Sequence, residues 1–402
     1  MLRRIDQMTR RRLPVVALLA LVLAAPAGAG SPPLAKRLAR ALAVPHVARG
    51  QTAAIAFDLQ TGKTVFAEHD ALSLAPASNE KLVVTYAALV GLGRTFRIET
   101  DVLGRGEQNG NIWQGHLLLV GHGDPTLSSA DLAQLAAQVR AAGITRVTGA
   151  VFGDETFFDA RRTAPGWKSW FYVNESPPLS ALTVDRGNYR GRISRNPALS
   201  AALLFRDALK RAGVTVGGVG IGDEHGNEVP LAAVDSEPLS EIVRYMDKHS
   251  DNFTAELVLK QLGAIENGVG TSPGGAAYAR RLLAEAGVPL AGVRLVDGSG
   301  LSLLDRLTVR ALEATLRAAW ADPDIRPAFL AALPVAGLNG TLSDRMRQPR
   351  RAGTSSPRPA RPSVPRRSPA TSSAATSSRC SRTGIPSPRS GPAGRRTASR
   401  PP

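Results

Sequence analysis

The chain has 402 residues, which is enough to bury a large core and to form more than one domain. Its net charge of +17 suggests a nucleic-acid or anionic-surface partner, but that charge is concentrated at the two ends. Residues 1–29 carry five Arg and one Asp, and residues 348–402 carry twelve Arg and no acidic residue. The remaining 33 basic and 32 acidic residues leave the body with a charge of +1, so we expect no nucleic-acid partner.

The N-terminal residues have the composition of a secretory signal. Arg10-Arg11-Arg12 precede an apolar stretch from Leu13 to Ala25, and the small residues Ala27-Gly28-Ala29 follow it. The alternative is an uncleaved membrane anchor, although the apolar stretch is shorter than the ~20 residues that a spanning helix needs. We therefore predict a signal peptide over residues 1–29 and export to the periplasmic or extracytoplasmic cell-wall space. The only cysteine, Cys380, does not indicate a redox compartment.

The next segments predict a hairpin followed by a helix. Residues 53–57 and 64–66 have the composition of two strands, with a Gly-containing turn between them. Ser78 suits a helix N-terminus, and apolar residues recur behind it at helical spacing until Gly91. Ser78 and Lys81 are therefore one helical turn apart, which puts the lysine amine within reach of the serine hydroxyl. A lysine that burial or a nearby cation keeps neutral can act as the base for such a serine.

Residues 101–234 predict a mixed α/β region. Strand-like and helix-like segments alternate there, the strands at 117–120, 147–152 and 214–221 and the helices at 132–142 and 198–212. After residue 235 the pattern is mainly helical. Because Ser78 and Lys81 precede this region and a second polar motif, Ser250-Asp251-Asn252, follows it, we interpret 101–234 as a domain inserted into a catalytic domain formed by residues 31–100 and 235–347.

A second polar motif, Ser250-Asp251-Asn252, joins two apolar-periodic segments. Taken alone, such a triplet is typical of a helix cap, with Ser250 or Asp251 accepting from free amides of the second helix. Together with Ser78 and Lys81 it makes the pair S-x-x-K and S-D-N, a known signature of penicillin-binding proteins and class A β-lactamases.

Five ordered segments carry a more specific resemblance, from about residue 48 to 347. They are Pro76-Ala-Ser-Asn-Glu-Lys-Leu82, Gly123-Asp-Pro-Thr-Leu127, His249-Ser-Asp-Asn-Phe-Thr-Ala-Glu256, Asp297-Gly-Ser-Gly-Leu-Ser302 and Gly337-Leu-Asn-Gly-Thr-Leu342. With them the chain resembles the low-molecular-mass class C penicillin-binding proteins, which are D-alanyl-D-alanine carboxypeptidases and endopeptidases. The resemblance implies an α/β (α+β) fold of the penicillin-binding, β-lactamase-like serine transpeptidase type, with a smaller α/β domain inserted.

The resemblance also implies roles for four residues and a class of substrate. Ser78 would attack the carbonyl of the penultimate D-alanine of a peptidoglycan stem peptide, with Lys81 as its base. Ser250 would relay the proton to the leaving amine, and Asn252 would bind the amide of the substrate. The backbone N–H of Ser78 and one from the strand after a K-T-G motif would hold the oxyanion. β-Lactams are expected as inhibitors, no cofactor is expected, and the oligomeric state stays open.

Other functions remain as alternatives to the carboxypeptidase/endopeptidase. A β-lactamase or esterase with the same machinery would need a route to rapid deacylation, and an inert muropeptide-binding or truncated product would need none. The six histidines show no spacing typical of a metal site, so no metal is expected. His249 adjoins Ser250, but Lys81 already supplies a base, so a Ser-His-Asp triad is not favoured. The Asp297-Gly-Ser-Gly segment is also typical of a tight turn.

The tail, residues 348–402, changes composition abruptly. Of its 55 residues 35 are Arg, Pro or Ser, and it has no Leu, Lys, Asp, Glu or aromatic residue, so we predict disorder. One interpretation is a basic arm that binds a polyanion. The other is a shifted reading frame, because K-T-G is absent and a one-base shift across Pro357 to Arg361 permits Lys-Thr-Gly-Thr. The same shift across Ser378 to Ser387 permits a strand and a turn, and we favour this interpretation.

Overall fold

The fold comes from a computed structural model that describes residues 33–223 and 226–346. The predicted signal peptide and the predicted out-of-frame tail lie outside the described residues, as does His225. The helices and strands are, in chain order, α1 (Pro33–Leu42), β1 (Ala54–Asp58), β2 (Lys63–Glu68), α2 (Glu80–Gly91), β3 (Glu99–Asn109), β4 (Ile112–Gly121), α3 (Ser129–Ala141), β5 (Arg146–Asp154), β6 (Asn188–Tyr189), β7 (Arg192–Ile193), α4 (Pro197–Arg211), β8 (Thr215–Ile221), β9 (Val229–Asp235), α5 (Leu239–His249), α6 (Asn252–Asn267), α7 (Ser272–Glu285), α8 (Val309–Ala321) and α9 (Arg326–Ala332).

The predicted hairpin is present as β1 and β2. The two strands pair antiparallel, with Asp58 opposite Lys63, and the turn between them contains Gly62 with a positive φ of 67°. The Asp58 carboxylate accepts the backbone N–H of Gln60 at 2.9 Å, which is typical of a turn that an aspartate side chain stabilises. A 3₁₀ turn, Ala77–Asn79, directly precedes α2.

A five-stranded mixed sheet lies between α2 and α5 in the sequence. Its strand order is β8-β5-β4-β3-β9, in which β4, β5 and β8 are parallel and β3 is antiparallel to both of its neighbours. The predicted strands of this region are confirmed as parts of β4, β5 and β8, whereas β3 and β9 were not predicted. Glycines interrupt the apolar alternation of β3, and Gly104 is needed there because a Cβ would lie 2.3 Å from the ring of Trp113.

Helices α3 and α4 pack on this sheet and share a core with it. That core includes Leu117 and Leu119 of β4, Val151 of β5 and Phe205 of α4, all fully buried. The assignment of residues 101–234 to an inserted domain stays a prediction, although the region has this core of its own.

A second core surrounds α2. Its residues Val83, Ala87 and Leu89 pack with α5, α6 and α7 in one cluster of buried side chains. Apolar groups therefore enclose α2, and a polar side chain that points inward from it loses contact with water. None of the described helices combines the length and the apolar character that a membrane crossing requires.

Candidate active site

Ser78 lies in the 3₁₀ turn that leads into α2, where its side chain is exposed. The preceding residue, Ala77, has a φ of +48°, an uncommon conformation for a residue with a Cβ. Strained backbone of this kind occurs at functional sites when the surrounding structure holds it in place. The turn directs the Ser78 hydroxyl toward Lys81, as the spacing of the two residues predicts.

Lys81 is the buried partner of this exposed serine. Its side chain is 1% exposed, and Nζ donates to three acceptors. These are Ser78 Oγ at 3.2 Å, Asn252 Oδ1 at 2.8 Å and the carbonyl oxygen of Ser299 at 2.7 Å. Residues from three separate parts of the chain therefore surround one amine.

The S-D-N triplet forms the turn between α5 and α6. Ser250 ends α5 in the left-handed conformation, with φ 54°, and its Oγ donates to Ser78 Oγ at 2.7 Å. Asp251 is the N-cap of α6, because its carboxylate accepts the N–H of Thr254 at 2.8 Å. Asn252 is the first residue of α6, and its Nδ2 donates to the carbonyl of Glu175 at 3.0 Å. The prediction that this triplet caps the second helix is confirmed, and Asp251 rather than Ser250 is the capping residue.

Two buried carboxyl groups shape the loop that supplies the Ser299 carbonyl. Glu256, one turn after Asn252 on α6, accepts the N–H groups of Gly298 at 2.9 Å and Ser299 at 3.1 Å. Asp297 accepts the N–H of Gly300 at 2.7 Å and the hydroxyl of Ser299 at 2.9 Å. Both carboxyl groups are fully buried. The Asp297-Gly-Ser-Gly segment is therefore a tight turn that reaches the site through its backbone.

Burial governs the protonation of Lys81 and its acidic neighbours. Burial lowers the pKa of the Lys81 ammonium, and the charges of Asp297 and Glu256 oppose that change. Burial, followed by the charge of Asp297, raises the pKa of Glu256 to about 8. Burial also raises the pKa of Asp247 to about 7 and, together with Asp297, that of Asp305 to about 9. At neutral pH the site therefore holds fewer negative charges than its number of carboxyl groups suggests.

Burial also controls the protonation of Glu80. Burial and the neighbouring carboxyl groups raise the pKa of Glu80 well above its ordinary range. Neither of its oxygens has a hydrogen-bond partner among the described residues, so the neutral acid costs less to bury there than the carboxylate would.

The structure brings together all four residues that the sequence predicts for the site, Ser78, Lys81, Ser250 and Asn252. His249, next to Ser250 in the chain, turns its ring onto that of Tyr245, with centroids 4.6 Å apart. Within residues 33–223 and 226–346, no three His, Cys, Asp or Glu side chains are grouped as metal ligands. The predicted second oxyanion donor follows K-T-G, so that assignment falls outside the described residues.

The sequence interpretation missed the contributions of Glu256 and Ser299. Glu256 lies four residues after Asn252, and this spacing places both side chains on one face of a helix. That spacing is a signal that could have indicated Glu256. Ser299 contributes only a carbonyl oxygen, which every residue possesses, so no sequence signal marks it.

Comparisons with known proteins agree with this geometry. The chain matches the family described as D-Ala-D-Ala carboxypeptidase 3 (S13) over residues 34–196 and 190–356. It is 36% identical over 317 residues to a carboxypeptidase of Mycobacterium tuberculosis, covering 74% of this chain and 66% of that protein. It is 31% identical over 379 residues to a D-alanyl-D-alanine carboxypeptidase of an Actinomadura species, covering 73% and 70% of the two chains. The chain thus spans about two thirds of the length of these relatives.

A solved structure extends the agreement to the fold. Penicillin-binding protein 4 of Haemophilus influenzae superposes with a TM-score of 0.67 and 20% identity, covering 77% of this chain and 83% of that one. This likeness confirms the predicted α/β fold of the penicillin-binding type. The family match extends over most of the chain, and about a third of the residues aligned with these relatives are identical. The chain therefore belongs to the D-Ala-D-Ala carboxypeptidase 3 (S13) family, as its resemblance to the low-molecular-mass class C penicillin-binding proteins predicts.

Proposed function

We propose that this protein is a serine-type D-Ala-D-Ala carboxypeptidase and endopeptidase that acts on peptidoglycan stem peptides through an acyl-enzyme. The observation that supports it best is the position of the Ser78 hydroxyl. It lies 3.2 Å from the buried amine of Lys81 and 2.7 Å from the hydroxyl of Ser250. A nucleophile within hydrogen-bond reach of a base, with that base oriented by further groups, is the arrangement that acyl transfer requires.

Lys81 is placed to remove the proton of Ser78. A neutral amine has two N–H bonds and one lone pair, and the acceptors Asn252 Oδ1 and Ser299 O match the two N–H bonds. The lone pair is then directed at the Ser78 hydroxyl. When Ser78 Oγ bonds to the carbonyl carbon of the penultimate D-alanine, its proton passes to Lys81.

Ser250 completes the acylation step. The proton held by Lys81 then passes through the hydroxyl of Ser250 to the nitrogen of the leaving group as the peptide bond breaks, while Ser78 Oγ stays bonded to the carbonyl carbon as an ester. The product amine is D-alanine in the carboxypeptidase reaction and a cross-linking side chain in the endopeptidase reaction. Water then attacks the ester and restores Ser78.

Asn252 is the proposed contact to the substrate backbone. Its side-chain nitrogen carries two donors, and the Glu175 carbonyl accepts one of them at 3.0 Å. The second donor is available for a carbonyl of the stem peptide. The Ser78 N–H is the oxyanion donor that the described residues supply, and a backbone N–H after K-T-G is the proposed second one.

The proposed function also implies where the protein acts and which compounds inhibit it. The signal-like residues 1–29 support export to the cell-wall space, where stem peptides occur. A β-lactam presents a strained amide to the same nucleophile, and a solved structure of the Haemophilus influenzae penicillin-binding protein 4 holds a β-lactam. We therefore expect penicillin to acylate Ser78.

A labelling experiment with a fluorescent penicillin tests the proposal. The label is followed on a denaturing gel for the 402-residue chain and for a form with the reading frame restored before K-T-G. Ser78→Ala should abolish the label, whereas Ser73→Ala, at a nearby exposed serine bonded to the Gly292 carbonyl, should retain it. Undiminished labelling of Ser78→Ala would rule out the assignment. Rapid loss of the label from the parent would favour the β-lactamase alternative.

A further inference from the structure

Arg186 lies in a strained loop that follows β5 in the chain, and its side chain contacts the S-D-N turn. Three consecutive residues, Asp185, Arg186 and Gly187, have φ values of 48°, 56° and 77°. A left-handed conformation is uncommon for Asp and more so for Arg, and it persists only where surrounding contacts hold it. The Asp185 carboxylate provides such a contact, since it accepts the backbone N–H of Ser129 at 3.0 Å and also its hydroxyl.

From this loop the Arg186 side chain reaches the S-D-N turn and the two helices that the turn joins. The guanidinium lies 5.7 Å from the ring centroid of Tyr245 and 5.3 Å from that of Phe253, on α5 and α6 respectively. It also pairs with the Asp251 carboxylate at 2.5 Å. Aromatic stacking and a charged hydrogen bond together fix the planar guanidinium better than either contact alone.

The two oxygens of Asp251 divide between the helix and this arginine. Oδ1 accepts the N–H of Thr254 at 2.8 Å and so caps α6, and Oδ2 accepts from Arg186. Asp251 is the middle residue of the S-D-N turn, so its position limits those of Ser250 and Asn252. Ser250 reaches Ser78 and Asn252 reaches Lys81 within hydrogen-bond distance, and both contacts depend on the conformation of this turn.

We propose that Arg186 is a positioning residue for the acylation step, which holds the S-D-N turn through Asp251 so that Ser250 and Asn252 keep their places beside Ser78 and Lys81. This inference rests on the proposed function. A small displacement of groups that must align with a reacting atom lowers the rate strongly, by up to about a hundredfold for 1 Å. Arg186 therefore acts on catalysis without contacting the substrate.

The chain offers a matched control in Arg190. It lies in the same segment, has a positive φ of 52°, and is exposed. Its guanidinium stacks on the ring of Tyr189 at 5.1 Å, whereas that of Arg186 pairs with Asp251. Arg186→Gln and Arg190→Gln thus remove the same charge from the same loop. Arg186→Lys keeps the charge and removes the planar fork, so it should restore only part of the effect.

Amide hydrogen exchange on the full chain tests the ordering of the turn without any need for activity. Arg186→Gln should speed exchange of the Thr254 amide by roughly tenfold, and Arg190→Gln should leave it within about twofold. In an Asp251→Asn background, Arg186→Gln should add no further increase. Equal exchange in the two arginine variants would overturn the proposal, whether or not penicillin labels the parent.

Acylation by the fluorescent penicillin tests the catalytic part. The rate constant per labelled site should fall roughly ten- to a hundredfold in Arg186→Gln and stay within about twofold in Arg190→Gln. A purely structural role would lower the fraction of protein that can be labelled and leave the rate constant unchanged, which would also overturn the proposal. A parent that is not labelled at Ser78 contradicts the proposed function instead, and the exchange result then decides on Arg186.

Discussion

Gly300 lies directly against the backbone carbonyl of Ala77, so closely that a Cβ on Gly300 would be 1.9 Å from the Ala77 oxygen. Ala77 immediately precedes the proposed nucleophile Ser78, and Gly300 follows Ser299, whose carbonyl accepts from Lys81. Both residues have positive φ, 78° for Gly300 and 48° for Ala77. The loop and the nucleophile turn can therefore approach each other only where one of them has no side chain.

This contact predicts a specific effect of Gly300→Ala. The left-handed backbone costs an alanine about 1–2 kcal/mol, and forcing the two backbones apart costs about 1–3 kcal/mol more. Gly62→Ala is the matched control, since Gly62 has a φ of 67° with open space around its Cβ position. Denaturant unfolding should show the larger loss of stability for Gly300→Ala, and penicillin acylation should fall for this variant alone. Equal losses for the two variants would contradict the contact.

Lys81→Arg tests the role of the lysine as a base. The variant keeps a cation but introduces a group with a pKa above ~12 that stays charged, so acylation of Ser78 should fall by ~10²–10⁴-fold. Lys260→Arg is the control, because Lys260 is equally buried and pairs with Asp159 rather than with Ser78. Stopped-flow acylation rates measure both. A rate for Lys81→Arg within a few-fold of the parent would refute a general-base role.

The raised pKa of Glu256 predicts how stability depends on pH. Folding raises this pKa from 4.5 to about 8, so between these values the folded state holds a proton that the unfolded state has released. The stabilisation from this group is complete below pH 4.5 and is lost as the pH rises toward 8. Glu256→Gln, which is neutral at every pH, should make the fall in unfolding free energy between pH 5 and 8 shallower.

Asp58→Asn is the control for that measurement. The Asp58 carboxylate is exposed, and its hydrogen bonds to Thr61 and Gln60 lower its pKa, so it is ionised in both states above pH 5. Its removal should leave the slope between pH 5 and 8 unchanged. Chemical unfolding at a series of pH values measures all three proteins, and identical slopes for Glu256→Gln and the parent would show that Glu256 does not titrate in this range.

The hypothesis of a shifted frame predicts a difference between two forms of the protein. The 402-residue form lacks K-T-G, and it exposes an apolar groove of about 530 Å³ whose lining includes Leu316, Trp320 and Leu330. We expect this form to be poorly soluble and to release no detectable D-alanine from a pentapeptide ending in D-Ala-D-Ala. The form with one base corrected should be soluble and active. Comparable turnover by the two purified proteins would show that the tail is not a defect.

Much of the site was predictable because its parts are local in sequence. Ser78 and Lys81 are three residues apart at a helix start, and Asp251 caps the helix that follows it. Short-range geometry of this kind depends on the backbone alone. The strands β3 and β9 were harder to predict, because glycines and a proline break their alternation and only pairing with neighbouring strands stabilises them.

The sequence by itself determined the family, the identity of the nucleophile and its base as candidates, and the near-neutral charge of the body. Only the tertiary structure decided that Lys81 is buried, that the Ser299 carbonyl from 218 positions away accepts a hydrogen bond from its amine, and that Arg186 pairs with Asp251. These contacts join residues distant in the chain, and backbone carbonyls and stacked rings leave no pattern in a sequence. Packing of α2 among α5, α6 and α7 brings them together, because the burial of that helix removes Lys81 from water and leaves its amine only the acceptors that the neighbouring elements provide.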